Sequence, residues 1–316
     1  MDNPAPVPSE LVRDASERLL RDGHVVIPGL LEPGETARLR ADLERVMAEE
    51  RERPFDPGDG PAHPQDEACA RLHAQWWNCD AAEEARLLRR MRHQRAQEFG
   101  TDWPVPAAEA SICFKHIPTL FDGGRSQRVF NLINKLPGFA RMVEHPLVLA
   151  VMEGQLGRDC VLLDVSANAV GPRTGGGNLH MDSPLTDLPE PLPDYALSIQ
   201  TAWMLTDFSA GNGATRAVTG SHRAGRRPDV AADPAREAVL EGPAGSVAIW
   251  LSQTWHRHGP NSTANTTRLG VIVQYGRAWM KPFVDLRTPL TAETAAHYSP
   301  RLRYMMGCSA RAPVRG

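Results

Sequence analysis

Gly175-Gly176-Gly177-Asn178-Leu179-His180-Met181-Asp182 sets an imidazole and a carboxylate two residues apart, directly after three glycines. On an extended strand, residues i and i+2 leave the same face, so His180 and Asp182 could grip one ion. The glycines allow the backbone to approach a ligand closely. Far downstream, Trp255-His256 offers a second imidazole, followed by Arg268. Two imidazoles and one carboxylate, with coordination positions left over, are the facial triad expected of a non-haem Fe(II) centre that handles O2. A ligand from so distant a strand requires a barrel-like β-fold. Arg268 adds a planar fork suited to holding a carboxylate bidentately. Metal and clamp together point to iron with a 2-oxoacid co-substrate.

A His-x-Asp triplet occurs by chance on many surfaces, so its surroundings carry the argument. Ala196 to Leu205 is an apolar, strand-like run ending at Asp207. Asn212 to His222 alternates turn signals with a short strand. Gly245-Ser246-Val247-Ala248-Ile249-Trp250 gives another strand, and Arg268 to Tyr275 a last one.

This order of pieces resembles the phytanoyl-CoA dioxygenase family of Fe(II)/2-oxoglutarate oxygenases. The family runs H-x-D, then N-G-x6-G-S-H, then a G-D/S strand ending in an aromatic, then H-x-x-G-x-N-x-S and an arginine. Here the pieces are His180 to Asp182, Asn212 to His222, Gly245 to Trp250, His256 to Ser262, and Arg268. Arg21 to Leu31 is similar to the family's opening strand, so the likeness covers about residues 17 to 282. It implies a double-stranded β-helix (jelly-roll, cupin-like) core, mainly β, with helices packed outside. It implies Fe(II), 2-oxoglutarate and O2 as cofactor and co-substrates. His180, Asp182 and His256 would be the iron ligands, and Arg268 the partner of the 2-oxoglutarate distal carboxylate. Trp203 falls where some members place a tryptophan against the co-substrate, and Asn168 is a candidate hydrogen-bond donor to it. The interval from His256 to Arg268 is one residue longer than usual, and we assign the extra residue to the Asn261–Thr267 loop. His258 is a rival to His256, because the two would share a face of an extended strand. It abuts the turn signal Gly259-Pro260-Asn261, which favours His256 as ligand. His222 beside Gly220-Ser221 reads as a turn residue. Halogenating relatives carry a small residue in place of the carboxylate, so Asp182 argues against halogenation.

The 316 residues are enough for one catalytic domain: a helical N-terminal part over 9–157 and a β-helix core over about 158–282. The sequence contains no apolar run near the length of a membrane span, and it lacks a signal pattern at its N-terminus. A net charge of -3 with no block of like charge excludes a strong nucleic-acid footprint. Only Lys115, Lys135 and Lys281 are lysine among 35 basic residues, an arginine bias associated with GC-rich bacterial genes. Cys69, Cys79, Cys113, Cys160 and Cys308 show no metal-like pairing and are odd in number, which suits a reduced cytoplasm.

Hydrophobic periodicity predicts helices over Ser9–Arg21, Pro33–Glu50, Ala81–Phe99, Gln127–Leu136 and Pro137–Leu156, the last interrupted at Pro146. Arg51–Gln65 is a Pro/Gly-rich loop or lid, Ser111–Ile117 a strand, and the tail after Gly276 irregular. Lys115-His116 could lead into the site or serve the surface. Trp76-Trp77 reads as an anchor for the charged helix, with a pocket role as the alternative. Asp187 to Asp194 is a loop able to cover the site. No basic cluster suits a coenzyme A phosphate, so a small polar or natural-product substrate is expected, plausibly in bacterial secondary metabolism. Hydroxylation is the expected outcome, with cyclisation, desaturation and epimerisation open. Two other classes stay open: a cupin-type enzyme with another metal, which would need no Arg268, and a non-catalytic binding protein, which would be expected to have lost a ligand.

Overall fold

The computed structural model describes residues 9–56, 60–99, 117–182, 185, 188–229, 237–282, 284–287 and 289–309. Among these, the chain opens with helix α1 (Ser9–Asp22), strand β1 (His24–Ile27) and helices α2 (Pro33–Glu52), α3 (Asp66–Trp76) and α4 (Ala81–Phe99). Strands β2 (Leu120–Phe121) and β3 (Ser126–Val129) precede three short helices, α5 (Leu132–Lys135), α6 (Ala140–Val143) and α7 (Pro146–Leu156). Strands β4 (Val161–Val170), β5 (Ser198–Met204), β6 (Thr215–Val218), β7 (Glu237–Val239), β8 (Val247–Leu251), β9 (His256–His258) and β10 (Arg268–Gly276) follow. Helices α8 (Ala292–Ala296) and α9 (Pro300–Met305) close the described chain.

The strands pair antiparallel in two sheets. The larger runs β1-β8-β5-β10-β4-β3-β2 and the smaller β7-β6-β9. Isolated bridges, Thr174 to Asn261 and His180 to His256, lengthen the smaller sheet. The fold is a mainly β jelly-roll core, with α1, α2 and α5–α7 packed on one face of the larger sheet and α3 bordering the cavity. β1, β2 and β3 come from the part of the chain that reads as helical, so the N-terminal segment supplies strands to the larger sheet as well as helices.

Strand parity divides the larger sheet into two chemically different faces. Val165, Ile199, Trp203, Val247, Val271 and Val273 are buried with Leu19 of α1, Leu39 and Leu43 of α2 and Val151 of α7. The opposite face carries Asp164, Ser166, Asn168, Gln200, Trp250, Ile272 and Gln274, which line a cavity between the sheets. Register aligns these residues across strands: Gln274 stands opposite both Asp164 and Gln200, and Gln200 opposite Trp250.

Two expectations are corrected, and one helix is added. Ser126–Val129 is a strand and not helix, because it pairs with β4 while the Gln127 side chain donates to the Met47 carbonyl at 2.9 Å. Helix begins only at Leu132, after Asn131 in the left-handed region (φ 54). The tail after Gly276 is not irregular: Thr291 and Ser299 side chains cap α8 and α9, and Leu302 and Met305 are fully buried. Asp66–Trp76 forms a helix that periodicity left unassigned, with Ala70 and Ala74 inward. The strand expected over Ser111–Ile117, including Lys115-His116, lies outside the described residues apart from Ile117.

Candidate active site

His180, Asp182 and His256 converge. One donor atom from each lies within 4.8 Å of the others. His256 Nε2 stands 3.3 Å from Asp182 Oδ1, and the two imidazole centroids are 4.4 Å apart. His180 does not sit in a continuous strand. A single bridge exchanges amide and carbonyl with His256, and the Asp182 amide donates to the Ser252 carbonyl at 3.1 Å. Between them Met181 packs in a cluster with Leu163, Leu179 and Trp255 while the two ligands share a side, so the i, i+2 alternation survives without a ladder.

Backbone carbonyls fix both rings. His180 Nδ1 is 2.7 Å from the Asn178 carbonyl and His256 Nδ1 is 2.9 Å from that of Thr254. A carbonyl only accepts, so Nδ1 carries the proton in each ring and Nε2 is left with a lone pair, the tautomer a metal requires. Trp250 Nε1 donates to Asp182 Oδ2 at 3.2 Å, leaving Oδ1 toward the histidines. Burial and the neighbouring His256 push His180 down to about 4. Burial alone would lower His256 too, but the Asp182 carboxylate outweighs it and raises the group.

The three residues line a cavity of about 560 Å³ with Arg268, Arg128, Asn168 and His258. Arg268 is 2% exposed, its guanidinium 4.6 Å from the Phe208 ring, and its Nε has no hydrogen-bond partner. Burial brings its pKa down to about 10. A buried cation with no anion is costly, so this arrangement fits a site whose anion arrives as ligand. The donor set likewise fits a divalent metal, with two imidazoles and one carboxylate on one side of the cavity.

His258 lines the same cavity, as strand parity implies, but stays out of the donor cluster. Its ring meets Phe121 edge-on at 6.3 Å and lies against Gly177, where a Cβ would come within 2.5 Å of His258 Cδ2. Glycine at 177 is thus required by a close approach. His258 is pushed down to about 4 by burial and by Arg268. His222 bonds the Leu20 carbonyl and packs at the turn by Gly23, outside the cluster.

Trp203 is corrected. It pairs with Val271, on the face opposite the cavity, and its fully buried ring lies 5.4 Å from His145. Replacing it by alanine is expected to cost about 3–5 kcal/mol of stability. Denaturant unfolding would register that loss, while co-substrate affinity of the folded fraction stays unchanged. Asn168 faces the cavity, but its Oδ1 accepts from Arg128 Nε at 2.8 Å. Arg128 was missed by sequence reasoning. Parity on β3 could have flagged it only with the register against β4 in hand. Trp76 and Trp77 both line the cavity, and Trp77 also packs edge-on against Phe121 at 5.7 Å, so pocket and anchor roles coexist. In the expected covering loop, Asp187 lies outside the described residues. Leu192 packs with Leu163 and Trp255, and Glu190 pairs with Arg227 at 3.2 Å.

A jelly roll that brings a His–Asp–His donor set and a buried, anion-seeking arginine into one cavity defines the class of non-haem iron oxygenases. Within that class the chain belongs to the phytanoyl-CoA dioxygenase family, whose family model matches residues 19–270. It is 27% identical over 194 residues to dioxygenase af480 of Aspergillus fumigatus, an alignment covering 61% of this chain and 62% of that protein. The chain thus spans less than two thirds of the length of that curated relative. Its fold is shared with the epimerase SnoN, solved with Fe3+, alpha ketoglutarate and nogalamycin RO (17% identity, TM-score 0.54, 98% of this chain and 97% of that one). HygX of Streptomyces hygroscopicus, solved with nickel and 2-oxoglutarate, is similar at 17% identity, with a TM-score of 0.51, 87% of this chain and 90% of that one. No helix among the described residues is long and apolar enough to cross a membrane.

Proposed function

We propose that this chain is a Fe(II)/2-oxoglutarate-dependent oxygenase that oxidises an unactivated C–H bond of a small molecule. The observation that carries this reading is Arg268, buried and without an anionic partner among the described residues, in the same cavity as the His180–Asp182–His256 donors. His180, Asp182 and His256 would hold the metal, and Arg268 the distal carboxylate of 2-oxoglutarate. A dicarboxylate brings two charges, and Arg128, fixed through Nε by Asn168, offers a second cation on the same cavity wall. Asn168 then orients the arginine through Oδ1 and keeps its Nδ2 for the donor role expected of it.

When bound, iron with 2-oxoglutarate and O2 supplies the oxidant and leaves succinate and CO2, one oxygen atom entering the substrate if the outcome is hydroxylation. The chain's residues orient and shield. Trp250 holds Asp182 through Oδ2, and the Asn178 and Thr254 carbonyls hold the imidazoles. Ile272, Trp77 and Ile117 in the cavity wall keep bulk water from the reacting C–H. SnoN and HygX, solved with nogalamycin RO and with hygromycin B respectively, support a ring-bearing natural product as substrate class. Epimerisation is the second reading, since SnoN is an epimerase.

Anaerobic titration with Fe(II) and 2-oxoglutarate tests the reading. A weak visible charge-transfer band is expected on adding both, and none with either alone. Tight binding of another metal without a band would replace this reading with a cupin-type one.

A further inference from the structure

Among the described residues, the cavity is lined by a second buried carboxylate besides Asp182. Asp164 is 5% exposed and lines the cavity from β4. Its Oδ2 accepts from the Ser166 hydroxyl at 2.6 Å, and its Oδ1 has no hydrogen-bond partner. A buried carboxylate oxygen left unpaired is costly, and native interiors seldom leave one so without a reason. Leu72 and Trp76, one turn apart on α3, also line the cavity. They are 63% and 50% exposed, two of six large apolar side chains so placed among the described residues. Four residues apart, they present one face, and that face borders the cavity. An exposed apolar pair at a pocket rim marks where an apolar ligand is covered.

We infer that the substrate is a ring-bearing apolar molecule with a hydroxyl or amino donor, its body against Leu72 and Trp76 and its donor on Asp164 Oδ1. The inference rests on the oxygenase reading and names the substrate class for it. Sheet register sets the scale. Trp250, Gln200, Gln274 and Asp164 are successive neighbours across β8, β5, β10 and β4. Three inter-strand steps separate the backbone at Trp250 from that at Asp164 by roughly 14 Å. Trp250 touches Asp182, so a molecule that reaches Asp164 while offering a C–H beside the donor cluster must be several bonds long. A rigid ring system satisfies that span without the entropy cost of ordering a flexible chain. Asp164 is a positioning group here: it fixes which carbon of the substrate is presented.

The test uses full-length protein loaded anaerobically with Fe(II) and 2-oxoglutarate. Two probes, 4-phenylphenol and 4-methoxybiphenyl, differ in whether the same ring oxygen carries a donor hydrogen or a methyl group, and equilibrium dialysis gives their affinities. The wild type is expected to prefer the phenol by about tenfold, the value of one hydrogen bond to a charged acceptor. Asp164→Asn is expected to narrow that preference to less than about threefold. Trp76→Ala is expected to weaken both probes about fivefold and leave the preference intact. Should Asp164→Asn fail to fold, Asp164→Ala takes its place, with the visible band of bound 2-oxoglutarate as its folding readout. Equal binding of the two probes, or a preference that survives loss of Asp164, overturns the inference. Absence of the visible band in the wild type would instead overturn the oxygenase reading, so the two failures are distinguishable.

Discussion

Asp182→Ala is expected to lose catalysis while keeping the fold. Removing a group that merely orients a metal ligand costs about 10–100-fold in metal affinity or activity, so removing a ligand itself should exceed about a hundredfold. The loss has a structural companion. Asp182 accepts from Trp250 and pairs with His256, so the alanine variant leaves the Trp250 Nε1 and His256 groups facing each other without a carboxylate. His256 would then lose the partner that outweighs its burial, and its pKa would fall. Far-ultraviolet circular dichroism should be unchanged, and iron affinity by equilibrium dialysis should collapse with turnover. Full activity in this variant would sink the metal assignment.

Arg268→Ala carries the second large effect, and its readout separates binding from folding. A bidentate, charge-assisted grip contributes about 3 kcal/mol, so the KM for 2-oxoglutarate should rise by about a hundredfold. Among the described residues the same guanidinium has no anionic partner, and burial brings its pKa down, which disfavours the charged form in the fold. The alanine variant should therefore melt close to the wild type when no ligand is present. The rise in melting temperature that saturating 2-oxoglutarate gives the wild type should vanish. A ligand-dependent rise that persists in Arg268→Ala would remove Arg268 from the co-substrate site.

Much of the site was legible because strand parity is a local rule. His180 and Asp182 share a side however short their strand is, and His256 and His258 both reach the cavity as parity demands. Their choice was not fully legible, since it depends on which ring meets Asp182, a matter of distance between strands. Trp203 failed for the same reason. Its face follows from pairing with Val271, and register between distant strands is not written in either strand alone. Arg128 and Asp164 were hidden because each is a polar residue in a run whose other face is apolar, so each reads as an edge or a turn until its neighbours are known. Helix α3 was passed over because its stripe is alanine at 70 and 74, too small to register as periodicity.

The two-faced sheet has an evolutionary corollary. Along β4, β5 and β10, the residues that line the cavity (164, 166, 168, 200, 268, 272 and 274) all share one parity, and residues of the other parity pack against the helices. Substitutions at 164, 166, 200, 272 or 274 can therefore redraw substrate preference while the packing layer stays untouched. An insertion of one residue in any of these strands would exchange the layers and lose both. Lineages descending from such a scaffold should diversify by point replacement within strands and by length change only in the loops between them.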